Sequence, residues 1–190
     1  MTRISSFNLL TILGPTASGK TRLAVDLAKV FGGEIISADS RQVFRNMDLG
    51  TGKDLAEYGE VPYHLIDILE PGAEFSVFAF QRLFLEAFNE ISDKGRLPVL
   101  CGGTGMYLDA ALRGYRMMEV PEDKVWRAGL QGVSDGELVE RLRECRPEQH
   151  NSTDLLDRQR TMRALEIARF RACREPGDKT FPEIRPLVIG

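Results

Sequence analysis

The eight residues Gly14–Thr21 read GPTASGKT and lie between a short apolar run, Phe7–Leu13, and a segment of helical periodicity, Thr21–Phe31. They satisfy the whole G-x-x-x-x-G-K-[ST] pattern of a phosphate-binding loop between a strand and a helix. Glycines let successive backbone N–H groups point at one anion, and the helix adds its positive N-terminus. Lys20 can place its charge on the terminal phosphates, and the Thr21 hydroxyl can hold Mg²⁺. The predicted phosphate or diphosphate site comprises Gly14, Pro15, Thr16, Ala17, Ser18, Gly19, Lys20 and Thr21.

On either side of this loop, apolar strands alternate with amphipathic helices. The predicted strands are Phe7–Leu13, Glu34–Ala38, Leu97–Cys101 and Arg185–Gly190, and a further short strand is expected within Val61–Ile68. The predicted helices are Thr21–Phe31, Ser76–Lys94, Asp135–Cys145 and Asp154–Arg174. This alternation is typical of the α/β class, and we expect a P-loop NTPase-like parallel sheet flanked by helices. We expect three regions: a P-loop core at 1–113, a small helical insertion at 114–153, and a return to the core at 154–190.

Composition excludes several classes of protein. A chain of 190 residues can bury one good core, and its net charge of −3 argues against an overall polybasic nucleic-acid binder. The cysteines, Cys101, Cys145 and Cys173, form no C-x-x-C pair, and the chain has two histidines, so neither a disulfide framework nor a zinc site is indicated. No apolar stretch approaches the roughly 20 residues that span a bilayer, and no signal peptide is apparent. We therefore expect no membrane partner and a cytoplasmic location.

Polar residues follow the predicted strands where ligands of such folds bind, at the carboxyl ends of the strands. Asp39 ends the second strand and can serve as a base or as an outer ligand of Mg²⁺. It can equally cap the next helix, together with Ser40. Gly102–Gly105 fits either a ligand-contacting turn or a plain tight turn. The arginines of Arg158–Arg174 fit either a solvated face or a phosphate-backbone patch. The residues alone leave these alternatives open.

Six blocks, taken together and in order, resemble the tRNA dimethylallyltransferase (tRNA isopentenyltransferase) family. They are GPTASGKT (14–21), SADSRQVF (37–44), MDLGTGK (47–53), PYHLIDI (62–68), LPVLCGGTGMYLDAAL (97–112) and DRQRTMRALEI (157–167). The likeness spans nearly the whole chain. Six blocks in the correct order are far more specific than any one of them.

The resemblance implies transfer of a dimethylallyl group from dimethylallyl diphosphate to N6 of an adenosine beside the tRNA anticodon, with Mg²⁺ as cofactor. Asp39 matches the carboxylate that takes the N6 proton, and Thr16 matches a threonine that touches the bridging oxygen of the leaving group. Positions that match tRNA-facing residues are Asp39, Ser40, Arg41, Gln42, Thr104, Gln159 and Arg160. The insertion is expected to contact the anticodon stem-loop. We expect a monomer.

The sequence also departs from the family pattern. Members continue well beyond the strand that matches Pro186–Gly190, so the resemblance is to a short or C-terminally truncated member. Phe44 stands where a tyrosine is common, and the insertion is shorter than usual. Two other hypotheses therefore stay open: a P-loop kinase of nucleotides or small molecules in which Asp39 is the base, and a non-catalytic module that binds a nucleotide or RNA.

Overall fold

The computed structural model describes residues 7–115, 119–145, 155, 157–172 and 181–190. The chain divides into two compact units, Met1–Met117 with Phe181–Gly190, and Met118–Thr180. None of the helices within the described residues is both long enough and apolar enough to cross a membrane.

The first unit contains a five-stranded parallel sheet, as the sequence predicted. Its strands are β1 (Leu9–Leu13), β2 (Gly33–Ser37), β3 (Tyr63–His64), β4 (Leu97–Gly102) and β5 (Pro186–Ile189). Its helices are α1 (Lys20–Phe31), α2 (Val77–Asp93) and α3 (Gly105–Arg113), and a short 3₁₀ helix covers Leu55–Tyr58. Strands β1, β2 and β4 are almost wholly buried, which explains why their sequences are nearly continuous apolar runs.

The order of the strands in the sheet is β3-β2-β4-β1-β5. Leu10 of β1 lies beside Val99 of β4, and Val99 in turn lies beside Ile35 of β2. The strand that precedes Asp39 is therefore separated from the strand that precedes the phosphate loop. The carboxyl end of β4, with its two glycines, lies between them.

Helices cover both faces of this sheet because neighbouring residues of each strand point to opposite sides. Leu9 packs with Phe80 and Phe84 of α2 in one layer of the core. The next residue, Leu10, packs with Ala24 and Ala28 of α1 in the other layer. The glycine after α1, Gly32, adopts φ 65° and ends that helix as the sequence predicted.

The third strand is short and lies within the segment Val61–Ile68, where the sequence indicated a short strand. Only Tyr63 and His64 pair with β2. Leu65 and Asp67 have φ values of 63° and 55°, and this left-handed backbone is incompatible with a continuing strand. The apolar residues Leu65 and Ile66 are therefore buried in a loop that follows the strand.

The second unit contains α4 (Lys124–Gly129), α5 (Asp135–Cys145) and α6 (Arg158–Ala172). Leu138 and Leu142 of α5 are fully buried against Met162 and Leu165 of α6. The boundary therefore differs from the predicted return to the core at 154, because the apolar side chains of α6 form a core with α5. Asp154, Cys173 and Arg174, which the sequence placed in this helix, lie outside the described residues.

Candidate phosphate-binding site

The loop after β1 is curled tightly enough to surround an anion. Ala17 and Gly19 both have left-handed backbones, with φ values of 63° and 81°. A Cβ on Gly14 would lie 3.0 Å from the Ser18 hydroxyl oxygen, so the two sides of the loop approach closely. Residues 15–19 are exposed, and α1 begins directly after them at Lys20. The loop therefore presents its backbone and the N-terminus of α1 to solvent at the carboxyl end of β1.

The Lys20 side chain lies over this loop. Its Nζ donates a hydrogen bond to the carbonyl oxygen of Pro15 at 3.0 Å. The N-cap residue of α1 is Gly19, which has no side chain with which to cap the positive end of the helix. The amino group, the loop and the helix N-terminus form one positively polarised locus.

The turn after β4 joins this locus to the Asp39 turn. A Cβ on Gly102 would lie 2.3 Å from the carbonyl oxygen of Ala38, and one on Gly103 would lie 2.9 Å from the carbonyl oxygen of Gly14. The Thr104 N–H donates to the carbonyl of Ala38 at 3.1 Å. These two glycines therefore touch the start of the Asp39 turn on one side and the phosphate loop on the other. The Gly102–Gly105 turn is thus part of the site's framework.

Asp39 is half-buried at the same edge of the sheet. Its Oδ1 accepts a hydrogen bond from the backbone N–H of Arg41 at 2.9 Å, within a turn that leads into no helix. Asp39 thus caps this turn, and the predicted alternative of a helix N-cap is wrong. The backbone N–H of Ser40 donates to the Thr104 hydroxyl at 3.0 Å, which ties the turn to the end of β4.

Cys101 lies between the phosphate loop and the Asp39 turn, and residues of both affect the pKa of its thiol. Burial raises the pKa of its thiol to about 11; the positive charge of Lys20 opposes this rise and the negative charge of Asp39 adds to it. A hydrogen bond with the Thr21 side chain also lowers the thiol pKa. Lys20, Thr21 and Asp39 therefore all act on one sulfur atom at the end of β4.

The structure corrects the expectation for Gln42. This residue was predicted to face a nucleotide, but it is buried. Its Oε1 accepts from the Ser37 hydroxyl at 2.9 Å and its Nε2 donates to the carbonyl of Gly52 at 3.2 Å. Both ends of the amide are therefore occupied inside the fold. Its neighbour Arg41 is exposed, and Ser40 is half-buried.

The other predicted RNA-facing residues, Gln159 and Arg160, are exposed in the first turn of α6. Gln159 lines a depression of about 400 Å³ in the second unit with Lys124, Arg127 and Arg158. Much of the arginine cluster forms ion pairs and hydrogen bonds within the second unit. Arg158 pairs with Asp135 and donates to the carbonyl of Leu130. The predicted phosphate-backbone patch is thus partly used for internal contacts.

Two buried charged residues within the blocks that carried the family resemblance received no role from the sequence. Lys53 is enclosed beside the Asp39 turn, and Glu166 is buried in the second unit. Glu166 accepts hydrogen bonds from Arg127 and from the backbone N–H of Asp123 at 2.8 and 2.6 Å. Both residues belong to blocks that carried the family resemblance, which was the available signal. Their burial could not be read from the sequence because Lys and Glu are usually exposed.

Comparisons with known proteins agree with this geometry. A family model described as IPP transferase matches residues 42–185, and one described as isopentenyl transferase matches residues 7–61. The chain is 78% identical over 184 residues to the protein named tRNA dimethylallyltransferase 2 of Pelobacter propionicus, with 97% of this chain and 59% of the relative covered. A second relative with the same name, from Trichlorobacter lovleyi, is 67% identical over 186 residues, with 98% of this chain and 61% of the relative covered.

Solved structures support the same assignment. The tRNA isopentenylpyrophosphate transferase from Bacillus halodurans is 40% identical, with a TM-score of 0.58 over 86% of this chain and 56% of that one. A eukaryotic dimethylallyltransferase acting on tRNA shares the fold, with 24% identity and a TM-score of 0.75. The chain spans about three-fifths of the length of the curated relatives that it matches. Since one family model matches more than half of its residues, the chain belongs to the IPP transferase family.

Proposed function

We propose that this chain takes part in transfer of a dimethylallyl group from dimethylallyl diphosphate to N6 of an adenosine beside the tRNA anticodon, with release of diphosphate. The observation that carries the proposal is the meeting of a phosphate-type loop and the Asp39 turn around Gly102 and Gly103. A kinase site also needs a phosphate loop, but relatives named as dimethylallyltransferases favour transfer to tRNA.

The phosphate loop would hold the diphosphate of the donor. When the allylic C–O bond breaks, its electron pair leaves with the diphosphate, so negative charge grows on the leaving oxygens. Lys20 and the loop N–H groups would stabilise that charge, and one fixed donor at such a position lowers the activation free energy by about 3–4 kcal/mol. Thr16, exposed on the loop, would contact the bridging oxygen.

Asp39 would act on the acceptor. As N6 forms its bond to the allyl carbon, the amine loses a proton, which the Asp39 carboxylate accepts. General-base help of this kind contributes about 10²–10⁴-fold. Its Oδ1 already accepts the Arg41 N–H, so the turn holds the carboxylate in one orientation.

Few protein atoms of this site would bind Mg²⁺ directly. The described residues include no group of three or more acidic, histidine or cysteine side chains that could hold a metal. The Thr21 hydroxyl, with phosphate oxygens of the substrate, is the donor set that a phosphate loop offers. A bound Mg²⁺ would neutralise charge on the departing diphosphate.

Polar residues that solvent can reach would contact the RNA. Arg41 and Ser40 in the first unit and Gln159 and Arg160 in the second are accessible. Extrusion of the target base costs a few kcal/mol, which contacts in the pocket must repay. We further propose that the protein acts as a monomer in the cytoplasm, where its tRNA substrate would be available.

One experiment distinguishes transfer of the allyl group from kinase activity and from binding without reaction. The chain is incubated with labelled dimethylallyl diphosphate and an unmodified anticodon stem-loop, and in parallel with labelled ATP and a pool of small acceptors. We expect allyl label on the RNA. Consumption of ATP with label on a small acceptor would instead support a kinase, and binding without turnover would support a non-catalytic module.

Two variants test the roles that we propose for Asp39 and Lys20. Asp39→Asn keeps an oxygen that can accept the Arg41 N–H, so we expect transfer to fall about 10²–10⁴-fold while the Kd for the diphosphate stays within about twofold. Lys20→Ala is the matched variant, and it should weaken diphosphate binding itself. Equal loss of transfer and of diphosphate binding in Asp39→Asn would show that Asp39 is structural.

A further inference from the structure

Lys53 is a charged side chain that the fold encloses completely. Its side chain is 0% exposed, and its Nζ contacts the Phe44 carbonyl at 2.9 Å, Asp48 at 2.8 Å and Asp67. Burial by itself lowers the pKa of Lys53, but the hydrogen bonds and charges of Asp48 and Asp67 hold that pKa above its ordinary value. The ammonium group is therefore charged and fully paired.

The partners of Lys53 come from three segments of the first unit. Phe44 ends the turn that begins at Asp39, Asp48 belongs to the loop 45–52, and Asp67 follows β3. Among the described residues, Lys53 forms its hydrogen bonds and ion pairs with Phe44, Asp48 and Asp67, and none with the phosphate loop or with Asp39. Its charge thus joins loops to one another, and it does not face the site.

The same segments are joined by further buried hydrogen bonds. The Asp67 N–H donates to the carbonyl of Gln42 at 3.0 Å, and the Ile68 N–H donates to the carbonyl of Val43 at 2.9 Å. Gln42 also reaches Gly52, the residue directly before Lys53. The turn 39–44 is therefore attached to the body of the unit at its far end through Lys53, Asp67 and Gln42.

We propose that Lys53 is a positioning residue, which holds the Asp39 turn against the end of β4 through Phe44 and Asp67. The proposal rests on the proposed function, since the turn is the one that would carry the base and meet the RNA. Without the ammonium group, Asp48 and Asp67 lose their partner and the Phe44 carbonyl loses a donor. The turn then keeps its attachment at Thr104 and its backbone hydrogen bonds to residues 67 and 68, but loses the contact that Lys53 provides at Phe44.

The experiment compares four full-length variants of the chain. Lys53→Met removes the charge and keeps the length, whereas Lys53→Arg keeps the charge. Asp48→Asn weakens the same cluster from its exposed side, where the carboxylate is 66% exposed, and it serves if Lys53→Met does not fold. Lys29→Met, an exposed lysine of α1, is the control.

Three quantities are measured: the Kd for dimethylallyl diphosphate, kcat and KM for transfer to the stem-loop RNA, and amide hydrogen exchange. In Lys53→Met we expect transfer to fall about 10- to 100-fold through loss of orientation, with diphosphate Kd unchanged. Lys53→Arg should recover part of the rate, and Lys29→Met should match the wild type. Exchange at Arg41, Phe44 and Arg45 should rise, while exchange in β1 and α1 should not.

Hydrogen exchange separates this proposal from the proposed function. If the wild-type chain transfers no allyl group, faster exchange at residues 41–45 in Lys53→Met still supports the positioning role. Unchanged exchange there in the folded Lys53→Met and Asp48→Asn variants would overturn it, whatever the activity. So would equal losses of diphosphate binding and transfer, which would indicate a general structural role.

Discussion

At Gly102 the fold leaves no room for a side chain. A Cβ there would lie 2.3 Å from the Ala38 carbonyl oxygen and 2.5 Å from its carbon. Both are backbone atoms, so the clash cannot be relieved by a rotamer change. The end of β4 and the start of the Asp39 turn are close together because position 102 lacks a Cβ.

We expect Gly102→Ala to lower the free energy of unfolding by about 1–3 kcal/mol, the usual cost of overpacking, and to weaken diphosphate binding. Gly105→Ala is the matched control, because a Cβ at that position meets no atom within 4 Å and lies in a helix. Urea unfolding of both variants, with diphosphate titration, checks this. Equal stability of the two variants would show that the Ala38 backbone moves aside freely.

At the scale of elements, a buried carboxylate joins β2, β3 and the end of α2. Glu34 of β2 is almost fully buried, and it contacts His64 at 2.7 Å, Arg96 at 2.8 Å and Lys94 at 3.4 Å. Burial alone would raise the pKa of Glu34. The hydrogen bond with His64, the charge of Lys94 and the hydrogen bond from Arg96 outweigh burial and hold this pKa below its usual value of 4.5.

This pairing makes the stability of the first unit depend on pH. Because the pKa of Glu34 is lower in the folded state, its stabilisation is fully present above the unfolded pKa and is lost as the pH falls through the folded pKa. We expect Glu34→Gln to reduce the free energy of unfolding near neutral pH by about 1–3 kcal/mol. The difference from the wild type should shrink as the pH falls below 4.5, the usual pKa of this carboxyl group. Urea unfolding of the wild type and of Glu34→Gln at several pH values measures this difference. A difference that does not change with pH would contradict the role given to the Glu34 carboxylate.

At the scale of the whole molecule, the two units have separate cores. Leu142 is fully buried with α6 in the second unit, and Leu100 is fully buried in the sheet of the first. The chain has one tryptophan, Trp126, which packs against the second core. Tryptophan fluorescence therefore reports on the second unit, and diphosphate binding at the proposed site would report on the first.

We expect Leu142→Ala to destabilise the second unit by about 2–5 kcal/mol, because it leaves a cavity in a small core. The fluorescence transition of Trp126 should move to lower urea concentration while the diphosphate Kd stays unchanged in buffer. Leu100→Ala, the matched control, should weaken diphosphate binding. Loss of diphosphate binding in Leu142→Ala would mean that the two units do not unfold separately.

Local sequence determined much of this protein. The phosphate loop, the buried strands around it and the helix stop at Gly32 all follow from glycine positions, apolar runs and helical periodicity, which are properties of a few neighbouring residues. The six blocks also indicated the family. Each of these patterns involves residues that are close together in the chain, so it can be read from a single sequence.

Only the tertiary structure decided what depends on residues far apart in the chain. It placed β4 between β1 and β2, so that Gly102 and Gly103 join the phosphate loop to the Asp39 turn. It turned Gln42 inward, enclosed Lys53 between Asp48 and Asp67, and assigned α6 to the second core. Strand order and the pairing of buried charges are set by contacts between distant segments, and no local pattern of residues specifies them.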